Sequence, residues 1–174
     1  MTDAPRYADC PVIEVAVLID APPAAVWELV SDPGLPARFS SEFKGARWVG
    51  GADGPAPGNR FEGSNEHPAI GAWTSHCTVV ECEPERVFAF TVGDLDGVQP
   101  SSAWKYTLTA EGAGTRVRQS MRLGPGRSHL STVIEAMPDR EVELVAGRMR
   151  DLRQSMSDNL NGVKALAEAE AAHA

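Results

Sequence analysis

Asn65, Ser75, Tyr106 and Gln119 are polar side chains set into apolar and aromatic segments whose residues alternate with a period of two. On the inward phase of a strand, an amide, a hydroxyl or a phenol can orient a carbonyl or hydroxyl of an otherwise apolar guest. The same alternation groups Phe61 and Asn65 on one face, Trp73 and Ser75 on the next, then Phe88 with Phe90 and Trp104 with Tyr106. Each aromatic taken alone reads equally well as plain core. For base chemistry the candidate is His67, flanked by Glu66, although Glu66-His67-Pro68 also has the form of a surface turn. His76 falls on the outward phase and His129 lies in a segment flanked by Gly and Pro. Tyr106, Asn65 and His67 are therefore the candidate catalytic residues. There is no G-x-S-x-G elbow, no H-E-x-x-H helix and no G-x-x-x-x-G-K-[ST] loop, and Cys10, Cys77 and Cys82 lack C-x-x-C spacing. No metal and no cofactor is expected.

The elements that must position these groups follow from periodicity. Val12 to Ile19 alternates as a first strand, and Asp20, Pro22 and Pro23 then open a short helix whose apolar face is Val26, Trp27, Leu29 and Val30. Leu35 to Ser41 offers a second short helix. Six strand segments follow: 43–49, 59–66, 73–83, 86–92, 103–110 and 115–123, separated by Gly, Pro and Asp clusters. Successive strands without intervening helices imply antiparallel pairing. After Pro138 apolar residues recur in steps of three and four through Val142, Val145, Met149, Leu152, Met156, Leu160, Val163 and Leu166. That is one long amphipathic helix, long enough to cross a sheet. The expected fold is α+β: a curved antiparallel sheet of about seven strands gripping the C-terminal helix, with two short helices after the first strand. Val145, Met149, Leu152 and Met156 would then form the lid of the space holding the inward aromatics.

With 174 residues the chain suits a single domain, 1–174, whose core runs from 12 to 167 with loose termini at 1–11 and 168–174. A net charge of -8 disfavours a nucleic-acid partner. The arginines at 116, 118, 122 and 127 read as one solvated strand face. No apolar run approaches the length of a membrane span and the N-terminus has no secretory pattern, which makes the cytoplasm the expected compartment, without membrane insertion. Homodimerisation stays open. The segments 93–102 and 124–131, rich in Gly, Pro and Ser, are expected to act as mobile gates.

Five stretches together resemble the SRPBCC (START/Bet v 1-like) superfamily, in its polyketide cyclase/dehydrase-like branch. They are IDAPPAAVWELVSDPGLPARFS at 19–40, RWVGG at 47–51, PGNRFEGSN at 57–65, the run from Trp73 to Pro84 followed by FAFTV, and AWKYTL before GTRV. Relatives often carry Trp after the first helix pair, where this chain has Phe39. The resemblance implies a helix-grip fold with a cavity for a small apolar or polyketide-like molecule, lined by Phe61, Asn65, Trp73, Ser75, Phe88, Phe90, Trp104, Tyr106, Gln119 and the four lid residues. It implies either a cofactor-independent cyclase, aromatase or dehydratase, or a carrier or sensor without chemistry. A weaker third possibility is a protein-interaction role.

Overall fold

The computed structural model describes residues 4–173. The first strand, β1 (Val12–Ile19), carries the alternation read from the sequence, with Ile13 and Ile19 fully buried. Helix α1 (Pro23–Val30) follows, with Pro in its first turn where the missing N–H has no intrahelical partner to lose. The second short helix is a single 3-10 turn at Leu35–Arg38. Six strands complete the sheet: β2 (Phe43–Val49), β3 (Arg60–His67), β4 (Gly71–Glu83), β5 (Val87–Val92), β6 (Ser102–Glu111) and β7 (Gly114–Leu123). All seven pair antiparallel in the order β1-β7-β6-β5-β4-β3-β2.

Between β7 and the final helix the sequence reading missed an element. Helix α2 (His129–Ala136) occupies part of the expected gate, opened by a reciprocal cap in which Ser131 Oγ accepts the Ser128 N–H and Ser128 Oγ accepts the Ser131 N–H. Helix α3 (Glu141–His173) then runs 33 residues, about 50 Å at the standard rise. It lies along β1 and against α1. Three of its side chains bond the backbone of β1 and the residue after it. Arg153 donates to the Glu14 carbonyl (3.0 Å), Lys164 donates to the Leu18 carbonyl (2.8 Å), and Glu168 accepts the Asp20 N–H (2.8 Å). An edge strand exposes backbone groups that invite pairing with another chain, and here the helix occupies several of them.

The described parts of the two terminal segments, expected to be loose, make contacts with the rest of the fold. Tyr7 donates its hydroxyl proton to the Gly126 carbonyl (2.7 Å), its N–H is accepted by Glu141, and Arg6 pairs with the same carboxylate. At the other end α3 continues helical through His173. Residues 1–3 and 174 lie outside the described residues. The two expected gates are joined to each other. The Gly126 N–H donates to the Pro100 carbonyl, the Leu95 N–H donates to the Arg127 carbonyl, and Arg127 pairs with Asp96. Gly126 is required there, because a Cβ would fall 2.2 Å from the Gln99 carbonyl oxygen.

Gly162 has a comparable role inside the grip. A Cβ at that position would sit 2.4 Å from the ring of Phe39, so the glycine gives the ring its seat on α3. The close approach at Gly162 is made to the segment after α1, and not to the sheet. Arg116, Arg118 and Arg122 lie on the outer face of β7 as read, with Arg116 paired to Glu111 and Arg118 to Glu14, but Arg127 lies past the end of the strand and pairs with Asp96 and Glu135. No helix among the described residues is long and apolar enough to cross a membrane.

Candidate functional site on the concave face

Strand register decides which side chains share the concave face. One row across the sheet is Ile13, Met121, Trp104, Phe90 and Val79; the next is Val15, Gln119, Tyr106, Phe88 and Cys82. Beyond them, Trp48 faces Phe61, Phe61 faces Cys77, Gly63 faces Ser75 and Asn65 faces Trp73. The bulge that could have reversed this phase occurs at Val80, which is extruded to solvent after Val79 and before Cys82 returns to the inner side. The inward phase read from the sequence for 73–79 therefore stands.

The expected site residues divide into two groups by burial. Phe61, Phe88, Tyr106, Gln119, Val145, Leu152 and Met156 are buried, Phe88 and Val145 completely. Asn65, Trp73, Ser75, Phe90, Trp104 and Met149 are only half-buried, although they share the same inner face or its lid. The half-buried group gathers toward the end of the grip where β3 turns into β4 and α3 begins. There Phe90 and Trp104 stack at 6.3 Å with planes 7° apart, and Trp73 meets the His129 ring edge-on at 5.2 Å. Asn65 Nδ2 donates to Ser75 Oγ at 2.9 Å and to its neighbour Gly63's carbonyl at 3.2 Å. The pair presents an amide oxygen and a hydroxyl between aromatic walls.

Two features at this end were not legible as site residues. His129 is brought to Trp73 by helix α2. Glu42 and Arg148 form a two-pronged ion pair, both bonds 2.7 Å, that ties the entrance of β2 to the first half of α3. Burial raises the Glu42 pKa, but the hydrogen bond and charge of Arg148, helped by His67, outweigh it and hold the carboxyl below its ordinary value. His67 sits beside this pair. Its Nδ1 accepts the Ala69 N–H at 3.1 Å. In the neutral ring this leaves the proton on Nε2 and no free lone pair for base work.

At the floor, between the half-open end and the sealed one, lies a polar cluster. Gln119 Nε2 donates to the Tyr106 hydroxyl oxygen at 3.0 Å, across directly paired positions of β7 and β6. From α3, Asn159 Nδ2 donates to the same oxygen at 2.9 Å and, at 3.3 Å, to Gln119 Oε1. Burial drives the Tyr106 pKa far above its ordinary value, with the two amide donors opposing it only in part, so the phenol stays protonated. Asn159 escaped the sequence reading because one amide in a stripe of Leu, Met and Val looks like an exposed position. Its spacing gave the signal: it falls three residues after Met156 and four before Val163, on the buried stripe. Cys77 on β4 is a buried thiol, its pKa pushed up to about 12 by desolvation.

The opposite, convex face carries its own groove of about 660 Å³, bordered by Arg60, Glu62, His76 and the 93–100 loop. His76 faces outward there as read, 3.5 Å from Glu62.

A seven-stranded antiparallel sheet closed around one long C-terminal helix defines the helix-grip, Bet v 1-like class of proteins. From residue 11 to residue 168 the chain matches the family described as polyketide cyclase / dehydrase and lipid transport, and it belongs to that family. Similar solved structures include a polyketide-cyclase-like protein of Corynebacterium glutamicum, at 23% identity and TM-score 0.67, covering 93% of this chain and 94% of that one. The di-domain ARO/CYC protein BexL, from the BE-7585A biosynthetic pathway, matches at 18% identity and TM-score 0.66 over 91% of this chain and 50% of its own. The Bet v 1-like protein Ara h 8.0201 matches at 13% identity and TM-score 0.51, over 80% of this chain and 97% of that one. At these identities the likeness is one of fold. No curated protein matches the sequence.

Proposed function

We propose that this protein binds a small, largely apolar molecule between the sheet and the first half of α3, entering past Trp73, His129 and Met149. The observation that carries the reading is the incomplete burial of Trp73, Phe90 and Trp104 on a concave face where Phe61, Phe88 and Tyr106 are sealed. Large aromatic surface left half-wet beneath a helix gains free energy when a guest displaces the water, and Asn65 with Ser75 supplies the polar contacts that fix its orientation.

The reading is tested by titrating 2-methylnaphthalene and following tryptophan fluorescence, with Ser75→Trp as a plugged variant. Saturable binding at one site, lost in Ser75→Trp while the fold is retained by circular dichroism, is expected. Absence of binding to the natural protein, or binding unaffected by the plug, overturns it.

A second reading, cyclisation of a poly-β-ketone, draws on the family description and on the ARO/CYC neighbours BexL and StfQ. In it the protonated Tyr106 would donate to a developing enolate oxygen, and His129, whose ring hydrogen-bonds to no described residue, would replace His67 as the base. Turnover that disappears in His129→Gln with binding unchanged supports this reading. Turnover unaffected by that substitution rejects His129 as the base.

A further inference from the structure

The polar cluster at the floor of the grip has an unbalanced set of hydrogen bonds. Tyr106 Oη receives two N–H donors, one from Gln119 and one from Asn159, which occupy both of its lone pairs. Its own proton then needs an acceptor. Asn159 Oδ1 is buried with no partner among the described residues, in a side chain that is 4% exposed. Rotating the Asn159 amide by half a turn does not cure the defect. The phenol could then donate to Oδ1, but Nδ2 would become the orphan, and Oδ1 would face Gln119 Oε1, the acceptor that Nδ2 meets at 3.3 Å; turning the Gln119 amide as well relieves that clash but still leaves one buried Asn159 atom unpaired. Buried polar atoms in native proteins are nearly always paired, so an unpaired acceptor beside a phenol proton without an acceptor points to a missing third group.

The chemistry of that group follows from the two vacant valences. It must donate to Asn159 Oδ1 and accept from the Tyr106 hydroxyl. A hydroxyl does both. A carbonyl could accept from Tyr106 but would set its oxygen against Oδ1, and a methyl satisfies neither. The cluster also stands in the right place, because Tyr106 and Gln119 lie one row deeper than Trp104 and Met121 on the same inner face. A guest entering between the half-buried aromatics would bring its leading end to this floor.

We infer that Asn159, with Tyr106 and Gln119, forms a hydroxyl-reading site that selects an alcohol or phenol at the leading end of the bound molecule. This rests on the binding reading above. Asn159 acts as the specificity-determining residue, since it alone carries the unmet acceptor.

A matched pair of probes tests it: 2-naphthol and 2-methylnaphthalene, of nearly equal size, against the natural protein and against Asn159→Leu and Tyr106→Phe. The natural protein is expected to favour 2-naphthol by about tenfold or more, the scale of one buried hydrogen bond left unmade. Asn159→Leu should bind 2-methylnaphthalene at least as well as the natural protein does and lose the preference. Should Asn159→Leu fail to fold, Tyr106→Phe, which keeps the ring, is expected to lose the preference as well. Equal binding of both probes by the natural protein, or a preference that survives in the variants, overturns the hydroxyl site and leaves the binding reading standing. If neither probe binds, both fall together. A crystal structure of the 2-naphthol complex in which an ordered water, and not the naphthol oxygen, still bonds Asn159 Oδ1 also overturns it.

Discussion

The two ends of the grip are built from the same inner face and yet are finished differently. Toward the C-terminal half of α3, Ile19, Val26, Phe88, Val117, Leu160, Val163 and Ala167 are packed to near-zero exposure. Toward its N-terminal half, Trp73, Phe90, Trp104 and Met149 stay half-wet, and what spans the gap is an ion pair, a short helix and paired loops. The cause is what lies beneath the helix. At the sealed end α1, with Leu35 and Phe39 after it, packs against α3 and fills the grip; at the other end no element among the described residues takes that place. The tightest packing is thus concentrated in one half.

Paired truncations put this division at risk most directly. Phe88→Ala, in the sealed half, is expected to lower unfolding free energy by about 3–5 kcal/mol, through lost transfer energy and a cavity the surroundings cannot close. Trp104→Ala, one row away, should cost only about 1–2 kcal/mol, since part of its ring already meets water. Its larger effect should be on 2-methylnaphthalene affinity. Urea unfolding midpoints for the two variants provide the comparison. Equal losses would mean that the half-open end is structurally as solid as the other.

Gly162 sharpens the account of what seals the closed half. Gly162→Val is expected to destabilise by about 1–3 kcal/mol, because the new side chain would collide with the Phe39 ring. Adding Phe39→Ala should remove much of the collision, so the double variant loses less than the two single losses added together. Strict additivity, measured by urea unfolding, would show that the glycine matters only for helix propensity.

The same contrast explains how much could be read beforehand. Alternation in β1, β4 and β6 assigned the inner face correctly, because a period of two leaves no choice once one side is buried. The long helix was equally plain. What was hidden is what depends on tertiary neighbours. Helix α2 begins in a stretch whose Pro125, Gly126 and serines look like loop, and only the Ser128–Ser131 cap signals otherwise. Arg148 and Glu42 are 106 residues apart and are charged residues of the kind that usually face solvent. The spacing of Asn159 places it on the buried stripe of α3, but its partner Tyr106 lies 53 residues away on β6. Those are all contacts of the half-open end or its floor, where local pattern and final environment disagree.

The ion pair that holds the half-open end gives the smallest effect and the most specific one. Since Arg148 keeps the Glu42 pKa below its ordinary value in the folded chain, Glu42 binds a proton more readily when unfolded. Its contribution is therefore complete above the ordinary carboxylate range and is lost as pH falls through the lowered folded value. Unfolding midpoints at about pH 6 and about pH 3 should differ less in Glu42→Gln than in the natural protein, by roughly 1 kcal/mol or less for a pair that keeps about a quarter of its side-chain surface in water. Other paired carboxylates, Glu111, Glu135 and Glu143, are also held low by arginines, but at exposed sites that salt screens strongly. Repeating the comparison at about 1 M salt should shrink their share and leave more of the Glu42 share. If Glu42→Gln leaves the acid limb unchanged at both salt concentrations, the ion pair does not brace α3, and the half-open end must owe its shape to α2 and the paired loops alone.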